Sequence, residues 1–246
     1  MAHTEVLDVV IKSAPIKKMV EAAIPELEAG DRLTRREFHR RYQAMPHLKK
    51  AELIEGIVYV SSPVKRKHGK YTSHINAWLS IYSFATTGTE VADNATTILD
   101  EDNEPQPDVY LRIEEEYDGQ TWSDENDYVI GAPELVAEIA SSSASYDLHD
   151  KKKVYRRNGA KEYIVWRVKD HKLDWFALQE GEFIELIPNA EGIIESTVFP
   201  GLRLAVNSLL SGDMPEVLAE LQKGIAAPEH QSFVESLQQK KTNKIN

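Results

Sequence analysis

The pattern of apolar and polar residues divides the first third of the chain into a helix, a hairpin and a second helix. The first helix is predicted to begin at Thr34, a good capping residue, and to end before Pro46. Residues 51–60 hold two short apolar runs on either side of Glu55-Gly56, which is typical of a hairpin. Between residues 68 and 84 apolar side chains recur at spacings of three and four, which predicts an amphipathic helix.

Strands dominate the prediction for the middle of the chain. Residues 133–140 are apolar apart from Glu134 and Glu138, a pattern that fits a central strand with a carboxylate at its end. The next helix is predicted to be capped by Ser145 and stopped by Asn158-Gly159. The other predicted strands cover residues 89–99, 108–113, 162–168, 172–178 and 182–187.

These elements suggest one main domain with additions at both ends. Residues 1–30 mix apolar and charged positions and are predicted to be an N-terminal appendage. Residues 31–205 form the predicted main domain, and residues 206–240 a C-terminal helical extension. The polar end of the chain, residues 241–246, is predicted to be a disordered tail.

Composition narrows the class of protein. The 246 residues are 41% hydrophobic, and no run approaches the roughly 18 apolar residues of a membrane span. Residues 1–14 lack a basic start followed by an apolar core, so no signal peptide is expected. The absence of cysteine excludes disulfides, thiolate metal sites and cysteine nucleophiles. We therefore expect a cytoplasmic protein without membrane contact.

The formal net charge of -11 argues against an extensive nucleic-acid-binding surface, because such surfaces are usually basic. Any such contact must then be local. Basic residues do cluster at 65–70 and at 151–157. Solvated surface is an equally good explanation of both clusters from the sequence alone.

Candidate chemistry lies where acids meet the predicted strands. Asp108 begins one strand and Glu138 ends another, so neighbouring strands would bring the two carboxylates together. Mg²⁺ prefers hard oxygen ligands, usually one or two carboxylates with several waters. The backbone carbonyl of Ile139 could supply a third oxygen. A site of this kind would activate water against a phosphodiester.

A lysine-bearing helix comes after the strand of Glu138. Asp147, Lys151 and Tyr155 lie four residues apart and share one face of that helix, which would let the lysine reach the metal. The alternative from spacing is a surface pair of Asp147 with Lys151 and a core position for Tyr155. His68 and His74 could bind metal or phosphate, although a single histidine on an amphipathic helix more often packs or faces solvent.

At these positions the sequence resembles the Uma2 family, also called DUF820, of the PD-(D/E)XK nuclease superfamily. The resemblance covers about residues 30–205 and rests on the order and spacing of short motifs. They are Glu52-Leu53-Ile54-Glu55-Gly56, His68, Pro107-Asp108-Val109, Pro133-Glu134-Leu135-Val136-Ala137-Glu138, and Tyr146-Asp147 followed by Lys151, Tyr155, Gly159 and Glu162-Tyr163.

The resemblance implies an α/β (α+β mixed) fold: a restriction-endonuclease-like core with a central mixed β-sheet flanked by helices, extra antiparallel strands and C-terminal helices. It implies Asp108 and Glu138 as ligands of Mg²⁺ or Mn²⁺, with Glu52 in support. The superfamily's usual lysine position is Ala140 here, and Lys151 on the next helix takes its place. The chain departs from the family at Trp166, where an aspartate is common.

The function implied is a metal-dependent endonuclease, acting on DNA in the first instance and working as a homodimer. The competing hypothesis is a catalytically silent nuclease fold used for dimerisation or DNA docking, which the net charge and Ala140 favour. A third hypothesis, an acidic enzyme that handles sugars or nucleotides, has no motif of its own. The presence of Asp108, Glu138 and Lys151 together favours the nuclease.

Overall fold

The computed structural model describes residues 24–141 and 143–245 of the chain. The helices are α1 (Arg35–Gln43), α2 (Arg66–Ala85), α3 (Ala144–Tyr146), α4 (Lys152–Arg157), α5 (Val206–Ser211), α6 (Met214–Ile225) and α7 (Pro228–Ile245). The strands up to the middle of the chain are β1 (Ala51–Ile54), β2 (Ile57–Val60), β3 (Thr89–Ala92), β4 (Thr97–Ile98), β5 (Val109–Ile113), β6 (Trp122–Ser123) and β7 (Val129–Ile130). The later strands are β8 (Leu135–Ala140), β9 (Glu162–Arg167), β10 (Lys172–Gln179), β11 (Glu182–Glu185), β12 (Ile193–Glu195) and β13 (Arg203–Ala205).

Within the described part of the chain, six strands form the central sheet in the order β11-β10-β9-β8-β5-β3. Strands β8 and β9 are parallel, and the other neighbours are antiparallel. The parallel pair requires a crossover, which residues 144–157 provide. The mixed sheet with flanking helices, further antiparallel strands and C-terminal helices confirms the predicted fold class.

One face of the sheet packs against α2 and the C-terminal helices. Trp78 of α2 is fully buried there, makes an edge-to-face contact with Trp175 and donates its Nε1 hydrogen to the carbonyl of Arg203. The side chain of Trp166 lies on this same face. The predicted amphipathic helix is therefore confirmed, and its apolar side faces the sheet.

The opposite face packs against residues 144–157, which we call the site helix. It consists of α3, a π-helical turn (Asp147–Lys151) and α4. Tyr155 and Tyr163 are fully buried between this helix and the sheet. Because alternate residues of a strand point to opposite faces, Glu138 of β8 shares this side with Val136 and Ala140.

The hairpin β1–β2 forms where the pattern predicts it, and it is bonded to the segment before β5. Glu55 and Gly56 at its turn have φ values of 52° and 72°, the left-handed geometry that a two-residue hairpin turn of this type needs. Backbone hydrogen bonds join Leu53 with Glu104 in both directions. This connection joins β1 to the segment that leads into β5 of the central sheet.

The N-terminal cap is as predicted for α1 and differs from the prediction for the site helix. Thr34 Oγ1 accepts the N–H of Glu37, so the N-cap of α1 is confirmed. Ser145, in contrast, lies inside the first turn of the site helix, and the residue before that helix is Ser143. Ser143 Oγ donates to Asp147 Oδ2, so the side chain of the residue before the helix is bonded to a side chain one turn further on.

The two ends of the chain differ from the predictions where the structure describes them. The last helix runs to Ile245, so residues 241–245 are helical where disorder is predicted. Lys241 contacts Glu116 and the ring of Tyr117, which holds the helix against the domain. Leu27 is buried in a cluster with Phe38, so at least this part of the predicted appendage packs on the domain. Residues 1–23 of the appendage and Asn246 lie outside the described residues.

Within the described residues, none of the helices combines the length and apolar character needed to cross a bilayer.

Candidate active site

Asp108 and Glu138 lie beside each other at the end of two neighbouring strands. The antiparallel register of β5 and β8 pairs Val109 with Ala137. One step further along this register places Asp108 opposite Glu138. Both side chains are almost fully buried, with 4% and 2% of their surface exposed. The structure therefore brings together the two acids that the sequence selects.

Asp108 is held from three sides. Its Oδ2 accepts the backbone N–H of Ile139 at 2.8 Å. Its Oδ1 lies 3.0 Å from Lys50 Nζ and 3.4 Å from His68 Nε2. The predicted support residue His68 thus reaches the site from the first turn of α2. These contacts fix the carboxylate and supply it with positive charge.

Lys151 joins two carboxylates from distant parts of the chain. Its Nζ lies 2.9 Å from Glu138 Oε1 and 2.8 Å from Glu52 Oε1. Glu52 Oε1 also accepts the backbone N–H of Gln106 at 2.8 Å. A lysine has three N–H donors, so two are used here and a third is left for a ligand. The structure therefore brings Lys151, Glu52 and Glu138 together.

The π-helical turn positions the acidic and basic residues of the site helix. Asp147 and Lys151 are 3% and 2% exposed and both face the sheet, as their spacing predicts. They do not form the surface pair that is the alternative from spacing: among the described residues Asp147 contacts Ser143 instead. Tyr155 donates its hydroxyl to Glu138 Oε1 at 3.4 Å. Turns of this kind occur often at functional sites, because they shift side chains out of the regular helical register.

An open cleft of about 470 Å³ gives access to these groups. Among the described residues that line it, the acids are Glu52, Asp108, Glu138 and Asp147, and the cations are Lys50, Lys65 and Lys151. Lys65 is exposed at the mouth. Inside the mouth, four carboxylates therefore face two lysines and His68, a formal charge of -1 when all the carboxylates are ionised and His68 is protonated. Burying an uncompensated charge is costly, so the cleft favours a bound cation.

Burial and crowding of like charges act on the acids in different ways. Burial raises the pKa of Glu138 above its ordinary value, and the nearby carboxylates of Asp108, Asp147 and Glu52 raise it further against the effect of Lys151. Burial also opposes ionisation of Asp108, but His68 and Lys50 outweigh it and hold the pKa of Asp108 below its usual range. One carboxylate is thus stabilised as an anion by the protein, while the other needs further positive charge to ionise fully.

The pKa values of the basic groups that contact these acids are raised. The hydrogen bond to Asp108 raises the pKa of His68 above its ordinary value. Burial works against the charge of Lys151, but Glu138 and Glu52 raise its pKa well above the usual value. Lys151 is therefore an ammonium ion at neutral pH. It acts as a hydrogen-bond donor and a fixed positive charge.

The donor set fits a hard divalent cation held by few protein ligands. Both protein contacts of Glu138 use Oε1, and within the described residues no hydrogen bond reaches Oε2. The carbonyl of Ile139 accepts the N–H of Ser141 at 2.9 Å and is also a hydrogen-bond partner of the His68 ring, so a cation would share this oxygen with the imidazole. No group of three or more His, Asp or Glu side chains in the described residues could hold a metal by itself. Mg²⁺ does not need such a group, because one or two carboxylates with waters and substrate oxygens suffice.

Sequence reasoning missed Lys50, the second cation of the site. The available signal is its position two residues before Glu52, since alternate residues of an extended strand share a face. It also missed two hydroxyl groups in the cleft. Ser141 Oγ and Tyr146 Oη are buried and have no hydrogen-bond partner in the described residues. Buried polar atoms are normally satisfied, so these two indicate a ligand or bound water.

The residues that depart from the family pattern lie outside the cleft lining. Trp166 packs against Tyr71 and His74 at ring distances of 4.6 Å and 6.4 Å on the far face of the sheet. His74, which could have been a metal or phosphate ligand, takes part in this packing and does not line the cleft. The Trp166 substitution therefore adds to the core and leaves the carboxylate cluster intact.

Comparison with known proteins agrees with this fold. No curated protein matches the chain. A crystal structure of a nuclease from Anabaena variabilis ATCC 29413, described as putative and as belonging to DUF820, superposes with a TM-score of 0.55 at 15% identity. The match covers 70% of this chain and 96% of that one, and shows a common fold. The sequence profile of the Uma2 family, described as "Putative restriction endonuclease", matches residues 35–207. Since this is more than half of its length, the chain belongs to the Uma2 family.

Proposed function

We propose that this protein is an endonuclease that hydrolyses phosphodiester bonds with the help of Mg²⁺ or Mn²⁺. The observation that carries the proposal is the excess of negative charge in the cleft, where Asp108 and Glu138 lie side by side and buried. A structural ion-pair cluster would balance its charges. This one keeps a net negative charge even with His68 protonated, which a divalent cation would offset.

Asp108, Glu138 and the carbonyl of Ile139 would hold the cation. When bound, it would lower the pKa of a coordinated water and polarise a phosphate oxygen. Glu138 offers Oε2 for this purpose, because Lys151 and Tyr155 already occupy Oε1. Asp108 is kept ionised by Lys50 and His68 and needs no further activation.

The other charged residues shape the site and stabilise the reaction. Lys151 fixes the orientation of Glu138 and Glu52 and has a third N–H for a phosphate oxygen or the attacking water. Lys50 lies at the cleft surface and can neutralise charge that grows on the phosphorane oxygens. The free hydroxyls of Ser141 and Tyr146 can donate to the same phosphate.

DNA is the proposed substrate, and a homodimer with two clefts is the proposed working form. The test is cleavage of duplex DNA, single-stranded DNA and RNA with Mg²⁺ or Mn²⁺, with EDTA as the negative control. Asp108→Asn is the informative variant. Asp174→Asn is its matched control, because Asp174 is equally buried and also pairs with two cations, but does not line the cleft.

We expect metal-dependent cleavage by the wild type and by Asp174→Asn, and a loss of at least about 100-fold in Asp108→Asn. Cleavage that survives in Asp108→Asn would reject this site. A wild type that binds DNA without cleaving any substrate would support the silent nuclease fold instead. Light scattering on the same preparation measures the oligomeric state.

A further inference from the structure

A group of exposed cations marks the beginning of α2. Lys65, Arg66, Lys67 and Lys70 are all exposed, and within the described residues none of them forms an ion pair. We call these four residues the basic edge. Four unpaired cations in six consecutive positions stand out in a protein with a net charge of -11.

The second basic cluster of the chain shows that this is not a general feature of its surface. Lys153 pairs with Glu55, and Arg157 pairs with Glu55 and Asp100. Arg156 pairs with Glu182. The protein thus pairs Lys153, Arg156 and Arg157 of the site helix with its own carboxylates, while Lys152 lies over the ring of Phe176. At the basic edge, the described residues supply no carboxylate partner.

The sequence at the start of α2 makes the lack of carboxylate partners at the basic edge more informative. The first turn of α2 contains no acidic residue, and Lys65 occupies the N-cap without a capping hydrogen bond. Cations at the N-terminal end of a helix oppose its dipole, and like charges close together repel each other. Acidic residues at these positions would stabilise the helix better than lysines and arginines do. An external anion would remove both unfavourable effects.

The basic edge borders the cleft that contains the carboxylate cluster. Lys65 lines the cleft directly, and His68 reaches from the same turn to Asp108. A second hollow of about 340 Å³ lies on the other side of His68 and shares Val64 and Asn94 with the cleft. The two hollows are therefore adjacent, and both are lined by residues at the start of α2.

We propose that the basic edge is the surface on which the phosphate backbone of the nucleic acid docks, beside the bond to be cut. This inference rests on the proposed function and adds the surface that binds the substrate. The rest of the protein is acidic and repels a polyanion, so the basic edge sets the orientation of approach as well as the affinity. Binding through such contacts depends strongly on salt.

The test compares two triple variants with the same change in net charge. One is Lys65→Ala/Lys67→Ala/Lys70→Ala in the basic edge. The control is Lys161→Ala/Lys223→Ala/Lys240→Ala, which removes exposed lysines that do not line either hollow. Binding of a short fluorescent DNA duplex is measured by anisotropy in EDTA over a range of salt concentrations, so that cleavage does not interfere.

We expect the basic-edge variant to bind at least about tenfold more weakly at moderate salt. Its slope of log affinity against log salt should become shallower by about 0.9 for each phosphate that the variant no longer neutralises. The control should match the wild type. Equal binding by all three proteins, or an equally large weakening in both variants, would overturn the inference.

The outcomes separate the inference from the proposed function. Binding that depends on the basic edge, without cleavage at any metal concentration, would keep the docking surface and reject the nuclease. Metal-dependent cleavage that is unchanged in the basic-edge variant would keep the nuclease and reject the docking surface. A wild type that binds anionic lipid vesicles but no DNA would overturn the docking surface as stated.

Discussion

Lys151 Nζ lies 2.9 Å from Glu138 Oε1, and both side chains are only 3% exposed. The pair links the end of a central strand to the π-helical turn of the site helix. Glu52 approaches the same ammonium group from the hairpin. The fold thus uses one lysine to connect three parts of the chain at the place where the carboxylates collect.

Lys151→Met should destabilise the protein as well as abolish cleavage. The methionine keeps most of the volume, but Glu138 and Glu52 are deprived of a buried cation. Removing one partner of a buried ion pair typically costs about 3–5 kcal/mol. Urea unfolding at neutral pH in EDTA measures this change. A loss below about 1 kcal/mol would mean that the pair contributes little to the folded state.

Tyr146→Phe should separate stability from function. The Tyr146 ring packs against Tyr59 at 4.3 Å, a contact that phenylalanine keeps, and the hydroxyl that is removed has no partner in the described residues. We therefore expect an unchanged or slightly higher free energy of unfolding. Cleavage should slow by about tenfold or more if the hydroxyl donates to the substrate. A stable variant with wild-type kcat/KM would remove Tyr146 from the site.

Stability without metal should depend on pH through Glu138. Its pKa is raised in the folded protein above the ordinary value of 4.5, so the folded state binds more protons than the unfolded state above pH 4.5. This contribution to stability is present at low pH and is lost as the pH rises towards the folded-state pKa. The free energy of unfolding of the wild type should therefore fall relative to Glu138→Gln between about pH 5 and about pH 8.

Saturating Mg²⁺ should reduce that fall, because a cation beside Glu138 stabilises the ionised carboxylate. Urea unfolding of both proteins, with Mg²⁺ and with EDTA, measures the two effects. Parallel pH curves for wild type and Glu138→Gln in EDTA would contradict the raised pKa.

Trp78→Ala tests the packing that supports the sheet. Trp78 is fully buried against Trp175, and its indole N–H is bonded to the carbonyl of Arg203. We expect a loss of about 3–5 kcal/mol from the cavity and the unpaired carbonyl. Thermal unfolding checks this, and a wild-type Tm would mean that the surrounding residues collapse into the space.

The main pair of site residues could be predicted because local patterns determine it. Apolar runs define the strands that carry Asp108 and Glu138, and an acid at the end of such a run stands out. Periodicity likewise places Lys151 and Tyr155 on one helix face. These inferences need only the spacing of residues within single elements.

Lys50 could not be found in this way. Its contact with Asp108 depends on how the hairpin packs against the segment before β5, which no local pattern encodes. The same applies to the basic cluster of the site helix, whose partners Glu55 and Glu182 come from the hairpin and from β11. The helical end of the chain depends on contacts of Lys241 with residues 116–117, again far away in sequence.

The Asp108–Glu138 site is proposed to bind a divalent cation. Calorimetric titration of the free protein with Mn²⁺ and Mg²⁺ at about pH 8 tests this binding most directly. Glu138→Gln is the test variant. Glu134→Gln is the control, since Glu134 is also buried but bonds the backbone N–H groups of Ile113 and Gln120 away from the cleft. We expect a binding site in the wild type and in Glu134→Gln that disappears in Glu138→Gln. Binding that survives unchanged in Glu138→Gln, or no binding by the wild type, would contradict this expectation.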